Sequence, residues 1–184
     1  MKFTMRTFVA VEISDKQVIN RISKFQSEIN IHAKPVEAQN LHFTMQFLGE
    51  ISDKQAYMIK DALKEIKFTV FSITFKGIGA FPGPKSPRVI WVGTDKSGGN
   101  ALIDLAKRIE NVLSPLGFRN DKPFRPHVTV FRIKNRNEDL SEKLEKYKSL
   151  EFGSQEIINF KFKQSVLTPN GPIYSDLYDI RGEK

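Results

Sequence analysis

Hydrophobic positions along this chain repeat with two periods. Arg6-Thr-Phe-Val-Ala-Val-Glu-Ile13 is short, β-branched and aromatic, which predicts a strand ending where Ser14 can cap a helix. Ser14-Asp-Lys-Gln17 has the form of a capping box, and Val18, Ile19, Ile22, Phe25 and Ile29 then recur at helical spacing to about Asn30. From Asn40 to Gly49 the period drops to two. Leu41, Phe43, Met45 and Phe47 are expected on one face of a half-buried strand, with His42, Thr44 and Gln46 on the other. The same tetrapeptide, Ser52-Asp-Lys-Gln55, opens a second helix to about Lys67, and Phe68 to Ile78 reads as a strand completing a strand-helix-strand-helix-strand unit.

Gly79 to Pro87, with three prolines and two glycines, is expected to be a loop between two halves. The order then starts again. A strand spans Arg88 to Gly93, a helix marked by Leu102, Leu105, Ile109, Val112 and Leu113 stops near Gly117, and His127 to Phe131 is a strand. Leu140, Leu144 and Tyr147 suggest a short helix. Two last strands, about 155–167 and 173–180, are joined by Thr168-Pro-Asn-Gly-Pro172, a strong turn signal. The first strand begins 36 residues before His42 and its counterpart 39 residues before His127, so the two histidines occupy equivalent slots of a duplicated unit. The fold expected is α+β: one bilobal domain over 1–184, with two antiparallel-rich sheets facing a central cleft and helices on the outside.

Composition narrows the chemistry. At 184 residues, with 40% hydrophobic residues and 15 phenylalanines, the chain can bury a sizeable core without staples. No run approaches the roughly 18 apolar residues of a membrane helix, and the basic Met1–Arg6 stretch is not followed by an apolar leader, so a soluble, cytoplasmic protein is expected. The absence of cysteine removes disulfides, thiolate nucleophiles and cysteine-ligated zinc. A net charge of +8 favours a polyanionic partner such as RNA.

His42-Phe-Thr44 and His127-Val-Thr129 share one pattern, histidine, apolar residue, threonine, inside an alternating strand. Side chains two apart on a strand point the same way, so each motif presents an imidazole beside a hydroxyl. Near neutral pH one imidazole can act as base while its partner acts as acid, and pseudo-twofold placement puts one on each side of an in-line displacement at phosphorus. The hydroxyls can donate to the equatorial oxygens. These two account for all but one of the three histidines; the third, His32, lies in a polar loop and reads as a surface residue. Paired histidines also serve metals, but neither motif carries an acidic residue, so no metal is expected.

The sequence resembles the two-histidine phosphoesterases, and within them the RNA 2′,3′-cyclic phosphodiesterases formerly called 2′-5′ RNA ligases. The resemblance spans nearly the whole chain and rests on Arg6–Ile13, Asn40–Gly49, Phe124–Arg132 and the order of elements between them. It implies a site without cofactor or metal that opens the cyclic phosphate to a 2′-phosphate. His42 would be the proton donor to O3′ and His127 the proton acceptor from water, although sequence symmetry alone permits the reverse. Thr44, Thr129 and Arg132 would bind phosphate, and a bulge or strand end must redirect Arg132, five residues after His127. Arg125, Phe8, Ser165 and Tyr174 are further substrate-binding candidates. The implied partner is RNA with 2′,3′-cyclic phosphate ends, tRNA fragments among them, handled by a monomer, and joining of RNA ends through 2′-5′ linkages would be the reverse process. Lys134, Arg136, Lys143, Lys146 and Lys148 are candidates for extending an RNA-binding face. Two other readings stay open: a phosphodiesterase on another cyclic or 2′-5′-linked nucleotide, and a non-catalytic RNA-binding module.

Overall fold

The computed structural model describes residues 4–134 and 138–184. Among these residues nine strands make one sheet: β1 (Thr4–Glu12), β2 (Lys34–Pro35), β3 (His42–Ser52), β4 (Phe71–Phe81), β5 (Val89–Thr94), β6 (Val128–Arg132), β7 (Glu151–Ile157), β8 (Asn159–Thr168) and β9 (Gly171–Arg181). Four α-helices accompany them among the described residues: α1 (Lys16–Glu28), α2 (Asp53–Lys64), α3 (Lys96–Leu113) and α4 (Ser141–Glu145). The strands follow the order β7-β4-β5-β6-β3-β1-β8-β9, with β2 also on β6. Every pairing between named strands is antiparallel. None of the described helices is long and apolar enough to cross a membrane.

The two expected sheets are its halves, β9-β8-β1-β3 on one side and β7-β4-β5-β6 with β2 on the other side of a junction where β3 meets β6 through a single register pair, Phe43↔Val128. Both side chains at that pair are fully buried, and Phe43 stacks on Phe75 at 5.7 Å. The strand expected to complete the first unit does not stay there. β4 pairs with β5 and β7 in the second half, while β8 and β9 close the first half against β1. Gly79 to Pro87 is accordingly no linker between halves, since Gly79, Ala80 and Phe81 belong to β4 and only a short loop separates them from β5. Gly79 marks a close approach: a Cβ there would stand 2.1 Å from the Trp91 indole.

The repeated tetrapeptide folds in two ways. Ser52 and Gln55 form the complete capping box of α2. At Ser14 the box does not form, because Oε1 of Gln155, on β7, accepts from the backbone N–H of both Ser14 (2.8 Å) and Asp15 (3.1 Å). The N-cap moves on to Asp15, whose carboxylate accepts from Val18 N–H.

Alternation in β3 also changes partway. β1 and β3 slip register so that Ala10 faces Thr44 and Val9 faces Gln46, leaving Met45 as an extra residue. Beyond this bulge Leu48 is buried and Phe47, expected in the core, is 61% exposed. β6 slips at the equivalent place: Trp91 faces Thr129 and Ile90 faces Phe131, leaving Val130 extra. One bulge therefore follows the threonine of each motif.

Candidate active site

The register at the β3–β6 junction fixes the motif side chains. Extending Phe43↔Val128 by one residue each way puts His42 across from Thr129 and Thr44 across from His127. Directly opposed residues on such a pair have Cβ atoms about 4.5–5.5 Å apart. All four line one cleft of ≈ 400 Å³, on the sheet face opposite the buried Phe43 and Val128.

Each imidazole is oriented by the same local device. His42 Nδ1 lies 2.7 Å from the Asn40 carbonyl and His127 Nδ1 lies 2.6 Å from the Arg125 carbonyl, two residues upstream in both cases. A carbonyl only accepts, so Nδ1 carries the hydrogen and Nε2 is left for chemistry. The Thr44 hydroxyl is 3.0 Å from His42 Nε2 and donates to it in the neutral state. Burial lowers the pKa of both histidines, and the carbonyl bonds partly oppose this. For His42 the cations of Lys163 and Arg132 push in the same direction as burial, and Glu12 pulls the other way. Both imidazoles therefore give up a proton more readily than a solvent-exposed histidine.

The predicted accessory residues separate into groups. Arg132 lines the cleft beside Thr129, carried there by the Val130 bulge, as its proposed phosphate contact requires. Tyr174 also lines it, with its ring 5.4 Å from His42, and burial raises its hydroxyl pKa. Phe8 is only 2% exposed, enclosed by His42 (5.2 Å), Tyr174 (4.9 Å) and Phe47 (6.0 Å). It supports the site from beneath and has no free face for a base. Ser165 sits in register between Arg6 and Tyr174, outside the cleft lining. Arg125 supplies its carbonyl to His127 while its side chain stays exposed. His32 is exposed and lies beside Glu138.

The lysine cluster does not join the cleft. Lys143 is tied to Glu138 and the Asn30 carbonyl and Lys148 to Glu145, Lys134 and Lys146 are exposed, and none of the four lines the cleft. Arg136 lies outside the described residues.

Several residues at the site carried no motif. The β8–β9 turn reaches across the cleft mouth: Lys34 Nζ donates to the Asn170 carbonyl (3.0 Å) and Asn40 Nδ2 to the Pro172 carbonyl (3.3 Å). Only the Pro-Asn-Gly-Pro turn signal pointed there. Behind His42, Glu12 is its register partner on β1 and shares an alternating ion-pair ring with Lys161, Lys163 and Asp176. Burial alone would raise Glu12 and Asp176, but the bonds from the two lysines hold both below the usual carboxylate range. Behind His127 the place is taken by aromatics, Phe81 at 5.0 Å and Trp91 at 6.5 Å. Among the described residues no group of three or more His, Asp or Glu gathers as metal ligands would.

Comparison with known proteins agrees with this arrangement. A curated Archaeoglobus fulgidus protein named RNA 2′,3′-cyclic phosphodiesterase is 44% identical over 94% of this chain and 98% of its own length. One of the same name from Aquifex aeolicus is 41% identical over 93% and 94%. Among solved structures, Escherichia coli LigT complexed with 3′-AMP superposes with a TM-score of 0.83 at 23% identity, covering 99% of this chain and all of that one, a likeness of fold. The family model for LigT-like phosphoesterases matches twice, over residues 11–91 and 92–174, once per half of the duplication, and the chain belongs to that family.

Proposed function

We propose that this protein is an RNA 2′,3′-cyclic phosphodiesterase in which His42 donates a proton to O3′ and His127 takes one from the attacking water. The observation that carries the reading is the square of two imidazoles and two hydroxyls around the junction pair, with Nδ1 of both rings anchored to a carbonyl and Nε2 of His42 bonded only to the Thr44 hydroxyl. In-line attack needs proton handlers on opposite sides of phosphorus, and the pseudo-dyad between Phe43 and Val128 supplies that relation. Thr44 and Thr129 donate to the equatorial oxygens as charge builds, and Arg132 holds the anion. Binding of the phosphate anion offsets the lowering of both histidines, so His42 gains its proton when substrate arrives. The names of the curated relatives support the RNA substrate; the order of acid and base rests on the resemblance of the two histidine motifs to those of the family.

The test is hydrolysis of a nucleoside 2′,3′-cyclic phosphate in EDTA by wild type, His42→Ala and His127→Ala, with the product isomer identified. A 2′-phosphate product, with each variant slowed about 10²- to 10⁴-fold, is expected. Turnover that survives either substitution, or a 3′-phosphate product, refutes the assignment.

A further inference from the structure

We propose that a second pocket beside His127, floored by Trp91 and rimmed by lysines, binds a nucleotide of the RNA strand upstream of the cyclic phosphate. The inference rests on the proposed function and extends it from the terminal nucleoside to the strand that carries it.

A 2′,3′-cyclic phosphate ends its strand, so every other nucleotide of the substrate lies on the 5′ side of the terminal nucleoside. The two-histidine cleft, at ≈ 400 Å³, has the room of one small ligand, a single nucleoside phosphate. A separate pocket of ≈ 500 Å³ shares no lining residue with it. The two are neighbours all the same. Pro126, the residue before His127, lines the second pocket, and so does Trp91, whose ring lies 6.5 Å from the His127 imidazole. Trp91 is the register partner of Thr129, so it shares the cleft face of the sheet.

Trp91 is built as a platform. Gly79 lies opposite it on β4 and Gly93 stands two residues further along β5. A Cβ on Gly79 would sit 2.1 Å from Cζ2 of the indole and 2.4 and 2.6 Å from the two carbons bonded to it, the pattern of a ring met through its face. A Cβ on Gly93 would meet Cζ3 at 3.2 Å. The indole therefore lies flat on β4 and β5, one face covered by backbone. It is only half-buried and lines the second pocket, so its other face opens there.

Charge surrounds the platform. Lys76, Lys96 and Lys148 are exposed and line the same pocket. Asp95, the acidic residue of the lining, is turned to the backbone, accepting from the N–H groups of Thr74 and Gly98. Lys148 meets Glu145 at 3.2 Å, an exposed pair that a phosphate displaces at little cost. Lysines alone suit any anion; the flat apolar floor between them selects a base. Stacking on an aromatic face with cations on the phosphates holds single-stranded RNA without reading its sequence, so the pocket adds affinity and a preference for longer substrates.

Trp91 is the only tryptophan of the chain, so its fluorescence reports on the platform directly. Hexacytidylate ending in a 3′-phosphate is titrated into the protein, and hydrolysis of cytidine 2′,3′-cyclic phosphate is compared with that of hexacytidylate ending in the cyclic phosphate. Wild type is expected to favour the hexamer in kcat/KM, and the hexamer to quench Trp91 beyond any change that inorganic phosphate produces. In the double variant Lys76→Ala/Lys148→Ala the preference for the hexamer falls while the mononucleotide rate stays as it is, and the salt slope of hexamer binding shrinks by about 0.7 for each lysine. Trp91→Ala is expected to weaken hexamer binding by roughly 5- to 150-fold, and Trp91→Phe to keep most of it. Equal kcat/KM on the two substrates in wild type overturns the proposal, as does a double variant that slows both alike or a hexamer that leaves Trp91 unquenched. Quenching that depends on the lysines in a protein that hydrolyses neither substrate would retain the subsite and remove the hydrolase reading.

Discussion

Replacing Lys163 with methionine separates the roles of the two histidines. Lys163 is 5% exposed and bonded to both Glu12 and Asp176, and its cation lowers the pKa of His42 but has no such effect on His127. Glu12, Lys161, Lys163 and Asp176 together carry no net charge, so Lys163→Met leaves one negative charge behind His42. Arg132, which faces His42 from the other strand, is unchanged. An added negative charge there favours the protonated imidazole and raises the pKa of His42. The stability cost falls below the usual 3–5 kcal/mol for an orphaned buried partner, to about 2 kcal/mol, because Lys161 still bridges both carboxylates and these are partly exposed.

The sign of the kinetic effect follows from the role. A donor must be protonated in the active enzyme, so raising the pKa of His42 extends activity to higher pH. The alkaline limb of kcat/KM for a cyclic mononucleotide is expected to move to higher pH, with the acid limb, set by His127, fixed. Glu12→Gln removes a negative charge and should move the same limb down. Combining it with Lys163→Met restores neutrality and should return the limb close to its original position. Movement of the acid limb in Lys163→Met would make His42 the base and refute the assignment, and movement of neither limb would refute the electrostatic link.

Gln155→Ala strips the partner from the backbone N–H of Ser14 and Asp15 and from the Glu12 carbonyl, and urea unfolding should show a loss of about 2 kcal/mol. Gly79→Ala drives a methyl into the Trp91 indole and should cost about 1–3 kcal/mol and also lower kcat, since Trp91 and Phe81 pack on His127. Gly49→Ala, where a Cβ meets nothing within 4 Å but φ is +73°, should cost only about 1 kcal/mol and leave kcat as it is.

Both motifs and the duplication were legible because they rest on local order: period-two alternation, a shared histidine-apolar-threonine triplet and matching offsets. What the sequence hid depends on distant partners. Gln155 takes over the Ser14 cap from about 140 residues away, and β4 leaves its unit because its edges match β5 and β7. The turn of Phe47 out of the core had no local signal either, since Met45 and Leu48 are both apolar and either register satisfies the pattern. The matching bulge before Arg132 could be anticipated only because the family resemblance assigned that side chain to the phosphate.

The duplication explains the chemistry best where it is imperfect. Two identical histidine environments would titrate alike, and neither could be set aside as acid or base. Here the motifs, the carbonyl anchors on Nδ1 and the bulges after threonine repeat, so both reactive nitrogens are held the same way. What stands behind them does not repeat. An ion-pair ring and Phe8 back His42, while Phe81 and Trp91 back His127. Symmetric positioning with asymmetric surroundings is what in-line transfer at a cyclic phosphate demands, because the two apical oxygens need matching geometry and opposite proton traffic.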